Sequence, residues 1–405
     1  MERNGIMNNN SYFNTDNNSF SGIDLLSAVK DCFDKIALST GNLKHLNIML
    51  VGKSGVGKST LINNLFRERL AQTGGVRPVT HDITGYSKPN FPLTVYDSRG
   101  FELNKLAQKN IKKQITSTIT KCASTGRSDD AVHCLLYCIN SGSRRIEPEE
   151  LNWIRELTSE SYILKVPVII VLTQSYSAPY TKQLSDFIYS QNLGVNAVVP
   201  VLAEDYDLGM GQCVSRYGLD NLISEIERTL SDDLTATLAN VQTASAELKQ
   251  RKASLIVTAT TAEAAAAVAV TPLPVADSVV LVAIQSKMLA EITTIFGLGI
   301  SKSFISLFLS TALGTSGATV GGRALASALK LIPGIGTAAG GMINAGVAAA
   351  ITSAMGNAYI QLMTMILNDQ ILPDELDSNA NIEKIFSVID RSFRLQNTND
   401  NFKSV

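Results

Sequence analysis

Charge is scarce in this chain. Acidic and basic side chains make up 18% of 405 residues, and the formal net charge is -1. That balance removes any global electrostatic case for nucleic acid or for an anionic surface, so no nucleic-acid partner is indicated. Cysteine is sparse as well. Five cysteines, an odd number in a long chain, do not make a disulfide framework. Cys134 and Cys138 fall inside HCLLYCIN, which reads as a buried strand and not as a metal site. A reducing cytosol fits this usage, so the expected location is cytoplasmic, extending to the inner face of a membrane. The opening segment, MERNGIMNNNSYFNTDNNSF, lacks the central apolar run of a signal peptide. Residues 1–20 therefore read as a disordered Asn-rich tail, and residues 396–405 as a polar one.

Between these tails the chain changes character once. Residues 21–43 have apolar positions at helical spacing (Leu25, Val29, Phe33, Ile36) and predict a short lead-in helix. From residue 44 to about 235, apolar strands alternate with amphipathic helices. LNIMLV, AVHCLLYCI, VPVIIVLT and NAVVPVLA read as strands. ITGYSKP and PLTVYD read as a strand pair with a turn at Pro89–Asn90. The predicted fold class is α/β with a mainly parallel sheet, followed by an all-α domain over 236–395. In that second part the strand signal vanishes, and residues 303–322 and 331–368 carry no charged side chain. NANIEKIFSVIDRSF (379–393) predicts a final amphipathic helix. There is no internal repeat.

The chemistry is concentrated in GKSGVGKS, residues 52–59, which satisfies G-x-x-x-x-G-K-[ST] between an apolar strand and a helix. Gly52, Gly55 and Gly57 let the backbone curl. The amides from Lys53, Ser54 and Val56 onward can then converge on phosphate oxygens, aided by the positive end of the next helix. Lys58 is placed to reach the β and γ phosphates of a nucleoside triphosphate, and Ser59 to ligate Mg²⁺. Thr60 follows directly; it is counted with the site but reads first as an early helix residue. LTVYDSRG supplies the acid such a loop needs. Asp97 ends a strand and would hold the metal through water, and the Gly100 N–H would touch the γ phosphate. In the intervening TGGVRPVTHDITG, Thr80 is the first choice for a loop hydroxyl that binds Mg²⁺ only when a γ phosphate is present; Thr84 is the second. Lys58, Thr80 and Gly100 form the candidate catalytic set; Ser59, Thr80 and Asp97 form the candidate metal set.

The order P-loop, RPVT, DSRG, apolar strand resembles the translation-factor-related class of small GTPases. GKSGVGKSTLINNLF is similar to Era-like, septin-like and immunity-related members. Together with PLPVADSVVLVAIQSKMLAEITTIFGLG and LIPGIGTAAGGMINAGVAAAITSAMGNAY, it resembles a bacterial group of predicted GTPases with a C-terminal Ala/Gly-rich helical domain of unassigned function. The resemblance implies GTP and GDP as ligands with Mg²⁺, slow hydrolysis, and a switch that acts on a membrane, a second copy or a protein effector.

Two places depart from the family pattern. Its guanine reader, N/T-K-x-D, is replaced by Thr173, Gln174, Ser175 and Tyr176. Tyr176 stands where the resemblance expects an Asp that accepts two hydrogen bonds from guanine, and a phenol does not supply that charge-assisted pair. Ala203 and Glu204, in VPVLAED, stand in the family's second base loop. GTP remains the first choice, with ATP or no base preference as the alternative. The second departure is Phe101 after DSRG, where a water-orienting Gln is expected. Either another group, such as Glu102 or Arg99, completes the site, or hydrolysis waits for a partner. A module that binds nucleotide without significant hydrolysis therefore stays open. So does the question of membrane or compact bundle for the helical part, where Gly341, Ala345, Ala349 and Ser353 put small residues on one helix face.

Overall fold

The computed structural model describes residues 25–68, 75–78, 83–98, 105–143, 145–163, 165–269, 273–274, 279–302, 304–305, 309, 342–343 and 345–371. Thr80, Arg99, Gly100, Phe101, Glu102, Gly341 and the segments 1–20 and 379–393 lie outside them. Along the chain come α1 (Leu25–Gly41), β1 (Leu46–Gly52), α2 (Lys58–Leu65), β2 (Gly75–Pro78), β3 (Ile83–Lys88) and β4 (Phe91–Ser98). Then follow α3 (Lys105–Ser124), β5 (Cys134–Asn140), α4 (Pro148–Ile163), β6 (Val168–Thr173), α5 (Ala178–Ser190) and β7 (Ala197–Pro200). A small hairpin, β8 (Tyr206–Gly209) and β9 (Gln212–Val214), precedes α6 (Leu219–Thr229), α7 (Asp232–Val241), α8 (Ala246–Ala269), α9 (Val279–Phe296) and α10 (Ala345–Leu367). A two-residue antiparallel ladder joins β10 (Leu273–Pro274) and β11 (Met342–Ile343).

Seven strands form one sheet in the order β2-β3-β4-β1-β5-β6-β7. From β4 to β7 the pairings are parallel; β2, β3 and β4 pair antiparallel. The parallel strands read as continuous apolar runs because both sheet faces are covered. Every residue of β1 is buried. Alternation sends Leu46, Ile48 and Leu50 to a core shared with α2, α6 and α7, and Met49 and Val51 to one shared with α3, α4 and α5. Cys134 and Cys138 are free, fully buried core residues, and burial pushes both thiols up to about 12.

The helical part does not stand clear of the sheet. Leu234, Leu238 and Val241 of α7, Leu248 of α8 and Ile295 of α9 belong to the sheet's own core. The lead-in helix joins the other side of that part. Ala28, Val29 and Cys32 of α1 pack with α8, α9 and α10, and Lys35 Nζ donates to the Ala283 carbonyl at 3.1 Å. The chain thus enters the helical layer first, builds the sheet, and returns.

The close helix seam differs from the expected one. On α10 the predicted positions Ala345, Ala349 and Ser353 are only half-buried, whereas Ala348, Thr352 and Gly356, on the adjacent stripe, are buried. A Cβ on Gly356 would come within 2.5 Å of Val257 Cγ2 on α8 and 2.9 Å of Met288 Sδ on α9. The three helices meet there because glycine adds no side chain. Among the described residues no helix is long and apolar enough to cross a membrane.

Candidate functional site

At the end of β1 the chain must pass close to β5. A Cβ on Gly52 would lie 2.5 Å from the Cys138 carbonyl oxygen, so only glycine fits without backbone movement. The loop then turns through Gly55 (φ 73°) and Gly57 (φ 95°), both in the left-handed region. An L side chain there would cost roughly 1–2 kcal/mol. Gly57 caps α2, and its carbonyl accepts the first helical bond, from Leu61 N at 2.9 Å. α2 is seated by Leu61, Ile62 and Leu65, each 1% exposed.

Lys58 is nearly buried and arches back over the loop. Its Nζ donates to the Gly52 and Lys53 carbonyls at 3.1 Å each. Ser59 is exposed at the mouth of the loop, and Thr60 is half-buried. Sequence reasoning counted Lys53 for its backbone alone, but its side chain pairs with Glu150 of α4. Glu150 is buried and also accepts from the Tyr137 hydroxyl at 3.1 Å. This brace behind the loop was missed; its only trace in the sequence is the acidic first turn of EPEEL.

Asp97 lies beside the loop because β4 pairs with β1 in a register that sets Asp97 opposite Leu50, two residues before Gly52. Its Oδ1 is buried and has no hydrogen-bond partner among the described residues. Burial raises its pKa to about 6, and the Lys58 ammonium works against that rise. A carboxylate oxygen shut away from water without a donor is costly unless a cation completes it. The donors fit Mg²⁺, which prefers one or two hard oxygens from protein and takes the rest from water and phosphate. No group of three or more His, Cys, Asp or Glu that could hold a metal ion occurs among the described residues. Thr84, the second choice for the metal loop, lies within β3, paired in register with Asp97.

On the other side of Gly57 a cavity of about 220 Å³ opens. Gly57, Thr60, Thr173, Gln174, Ala203 and Glu204 are among its walls, so three separate stretches of chain converge there. Thr173, at the end of β6, has its Oγ1 2.5 Å from the Val56 carbonyl and 3.0 Å from that of Ile139, which ties the loop to the sheet. Gln174 sits in the left-handed region (φ 52°), and its Nε2 donates to the Gly55 carbonyl at 3.4 Å, a weak bond. Tyr176 does not line the cavity. Its ring stacks on Tyr206 of β8, centroids 4.5 Å apart and planes 12° from parallel. The structure therefore brings together residues 52–60, Asp97, Thr173, Gln174 and Ala203.

Residues 47–174 match the family described as "50S ribosome-binding GTPase", and residues 233–382 match "Domain of unknown function (DUF697)". Septin-9 of Rattus norvegicus is 31% identical over an alignment of 149 residues that covers 31% of this chain and 26% of that protein. Neuronal-specific septin-3 of Mus musculus is 29% identical over 144 residues, 30% of this chain and 41% of that protein. The chain thus spans about a quarter of the septin-9 length. Among solved structures, Cdc11 from Saccharomyces cerevisiae is similar at 20% identity and a TM-score of 0.30, over 46% of this chain and 92% of that one. Strand order, phosphate loop and family match give the α/β part the P-loop GTPase fold, with a helical region after it.

Proposed function

We propose that this protein binds GTP with Mg²⁺ in the loop 52–59, hydrolyses it slowly, and passes the change of nucleotide state to its helical part. The observation that carries this reading is the pair formed by the Lys58 ammonium, closing the phosphate loop, and the buried, unpartnered Oδ1 of Asp97 beside it. A magnesium-bound triphosphate satisfies both. Lys58 would neutralise the β and γ phosphates; Ser59 and Asp97 would hold the metal, Asp97 through water. The metal supplies charge neutralisation on the phosphates. Thr80 and the Gly100 amide would complete the γ-phosphate contacts. Slow turnover follows from Phe101, which cannot orient a water molecule where the resemblance expects Gln.

Coupling to the helical part is supported by the far end of α2. Arg67 N donates to the Val241 carbonyl at 2.8 Å, and the Thr243 N to the Leu65 carbonyl at 3.2 Å. The Arg67 guanidinium donates to the Gly297 carbonyl and, at 3.2 Å, to Asn240 Oδ1. One helix therefore starts at the phosphate loop and ends bonded to the exits of α7 and α9. A membrane as the surface acted on is supported by the two long uncharged runs, and flotation of the full chain with liposomes tests it.

Titration of the full-length protein with GTP, GDP and a hydrolysis-resistant ATP analogue, with Mg²⁺, tests the binding. Micromolar or tighter GTP affinity is expected, lost in Lys58→Ala. Absence of affinity for every magnesium-bound triphosphate overturns the reading. GTP binding without phosphate release in single turnover, at any protein concentration, overturns the hydrolysis part and leaves a static binding module.

A further inference from the structure

Guanine and adenine differ on one edge. Guanine offers two donors there, the ring N1–H and the exocyclic amine, and a site that selects it must answer with an acceptor. A carboxylate is the strongest acceptor a side chain supplies. The segment 173–176 carries none, since Tyr176 stands in the last place, faces Tyr206 and leaves the cavity to others.

Two carboxylates do line the cavity, Glu204 and Asp205. Asp205 has a prior commitment: its Oδ1 accepts from the Arg216 backbone N–H at 2.7 Å, closing the base of the β8–β9 hairpin. Glu204 is held differently. Its Oε1 accepts from Asn64 Nδ2 at 3.0 Å, and the same Asn64 nitrogen lies 2.9 Å from the Thr60 carbonyl. Asn64 and Thr60 are on α2, one turn apart, and Thr60 is itself a wall of the cavity. The carboxylate is thus anchored by one oxygen to the helix that begins at the phosphate loop, whereas Asp205 is anchored to the hairpin; among the described residues no hydrogen bond engages the second oxygen of Glu204.

The loop that carries Glu204 is fixed to the turn at 173–176. The Ser175 N–H donates to the Val201 carbonyl at 3.2 Å, and the Tyr217 hydroxyl to the Ser175 carbonyl at 2.6 Å. The Tyr176–Tyr206 stack adds a third tie two residues from Glu204. The phenol at 176 and the carboxylate at 204 therefore belong to one bonded arrangement.

We infer that Glu204 is the specificity-determining residue for the nucleotide base, accepting from the donor edge of guanine in place of a carboxylate at position 176. This rests on the nucleotide reading above. The test uses full-length protein with Mg²⁺ and four triphosphates: GTP; ITP, which lacks the exocyclic amine; XTP, where a carbonyl replaces that amine; and ATP. The wild type should prefer GTP to ITP and ATP by roughly tenfold or more. Glu204→Gln keeps an oxygen for Asn64 but loses the charge. It should weaken GTP by roughly 10–100-fold, bring GTP and ITP close together, and improve XTP, whose carbonyl the new amide can answer. A thermal unfolding curve matching the wild type shows that the variant is folded. The inference is overturned if a folded Glu204→Gln keeps the wild-type order and affinity for GTP, ITP and XTP. It is also overturned if the wild type binds GTP and ATP equally, in which case nucleotide binding itself still stands. Failure of the wild type to bind any of the four rejects the nucleotide reading instead.

Discussion

Lys249 offers a sharp test of how the two halves are joined. It lies near the start of α8, is fully buried, and its Nζ lies within hydrogen-bond reach of four backbone carbonyls that share its N–H groups. Ala239 and Asn240 are at the end of α7; Ile295 and Phe296 are at the end of α9, with Phe296 at 2.9 Å and Ala239 nearer still. The last carbonyls of a helix have no partner within it, and together they carry the negative end of its dipole. One amine thus serves two helix termini. Lys249→Met keeps the aliphatic stem, so no cavity opens, and removes only the donor. The two close carbonyls are then left dry at about 1–2 kcal/mol each, which makes the expected loss about 2–4 kcal/mol. Lys252→Met is the control on the same helix. Its ammonium bonds Thr235 and a Glu227 carboxylate near the surface, and its loss should stay within about 1 kcal/mol. Urea unfolding followed by fluorescence of the single tryptophan, Trp153 in the sheet core, and by far-ultraviolet circular dichroism reads both halves. The sign with pH is also fixed. Burial first, and then Arg67, hold the Lys249 amine well below its usual 10.5, so the unfolded chain binds this proton more readily than the folded one. Wild-type stability relative to Lys249→Met should therefore rise as pH climbs from the lowered folded value towards 10.5. A Lys249→Met protein as stable as wild type would refute the reasoning. It would mean that desolvation of the amine offsets everything its hydrogen bonds supply.

Three further outcomes are expected. In nucleotide-free, magnesium-free protein, Asp97→Asn should stabilise the fold by up to about 2–3 kcal/mol above pH 6, because one oxygen of the ionised Asp97 carboxylate is buried without a donor among the described residues; the gain should vanish as pH falls towards 3.8, the unfolded value, and denaturation at pH 7.5 and 4 checks it. Gly356→Ala should cost about 1–3 kcal/mol through overlap with Val257 and Met288, whereas Ala349→Leu, on the half-buried stripe, should stay within about 0.5 kcal/mol; thermal unfolding separates them. Hydrogen exchange at the Arg67 and Thr243 amides should slow on adding GTP with Mg²⁺, since both bond across the exit of α2; identical exchange with and without nucleotide would count against coupling through this helix.

What the sequence made legible follows from how local each signal is. The strands β1, β5 and β6 announce themselves because burial on both faces demands continuous apolar runs. The phosphate loop does so because its glycines are forced by backbone approach, as the Gly52 contact with Cys138 shows. Helices α3 and α5 carry thin stripes, Ile111, Ile115 and Ile119 in one and Leu184 and Ile188 in the other, set among polar residues, which leaves their helical period faint in the sequence. β2 escaped because GVRP reads as loop and gains its strand character only by pairing with β3. The seam on α10 was placed one residue off, since periodicity reveals that small residues recur but not which stripe faces α8. Partners far apart in sequence were invisible: Glu150 for Lys53, Asn64 for Glu204, and the carbonyls that surround Lys249.

These distant partners share a pattern that bears on mechanism. Lys53, Lys58, Asn64 and Arg67 all lie on the phosphate loop, on α2 or at its exit, and each makes its bond to something that holds another part of the site or the joint. Eight residues of helix span about 12 Å. Leu61, Ile62 and Leu65 bury one side of α2, so it cannot turn about its axis without exposing core. The motion left to it is a shift as a body, and its exit is bonded through main-chain groups at Leu65 and Arg67, which have no rotamers with which to absorb a displacement. Phosphate charge gained or lost at Lys58 would then be felt at Val241 and Thr243 as a change in hydrogen-bond length, close to the buried amine that holds the ends of α7 and α9 together. A side-chain relay would dissipate such a shift over several torsions; a short helix with backbone bonds at its far end transmits it with little loss.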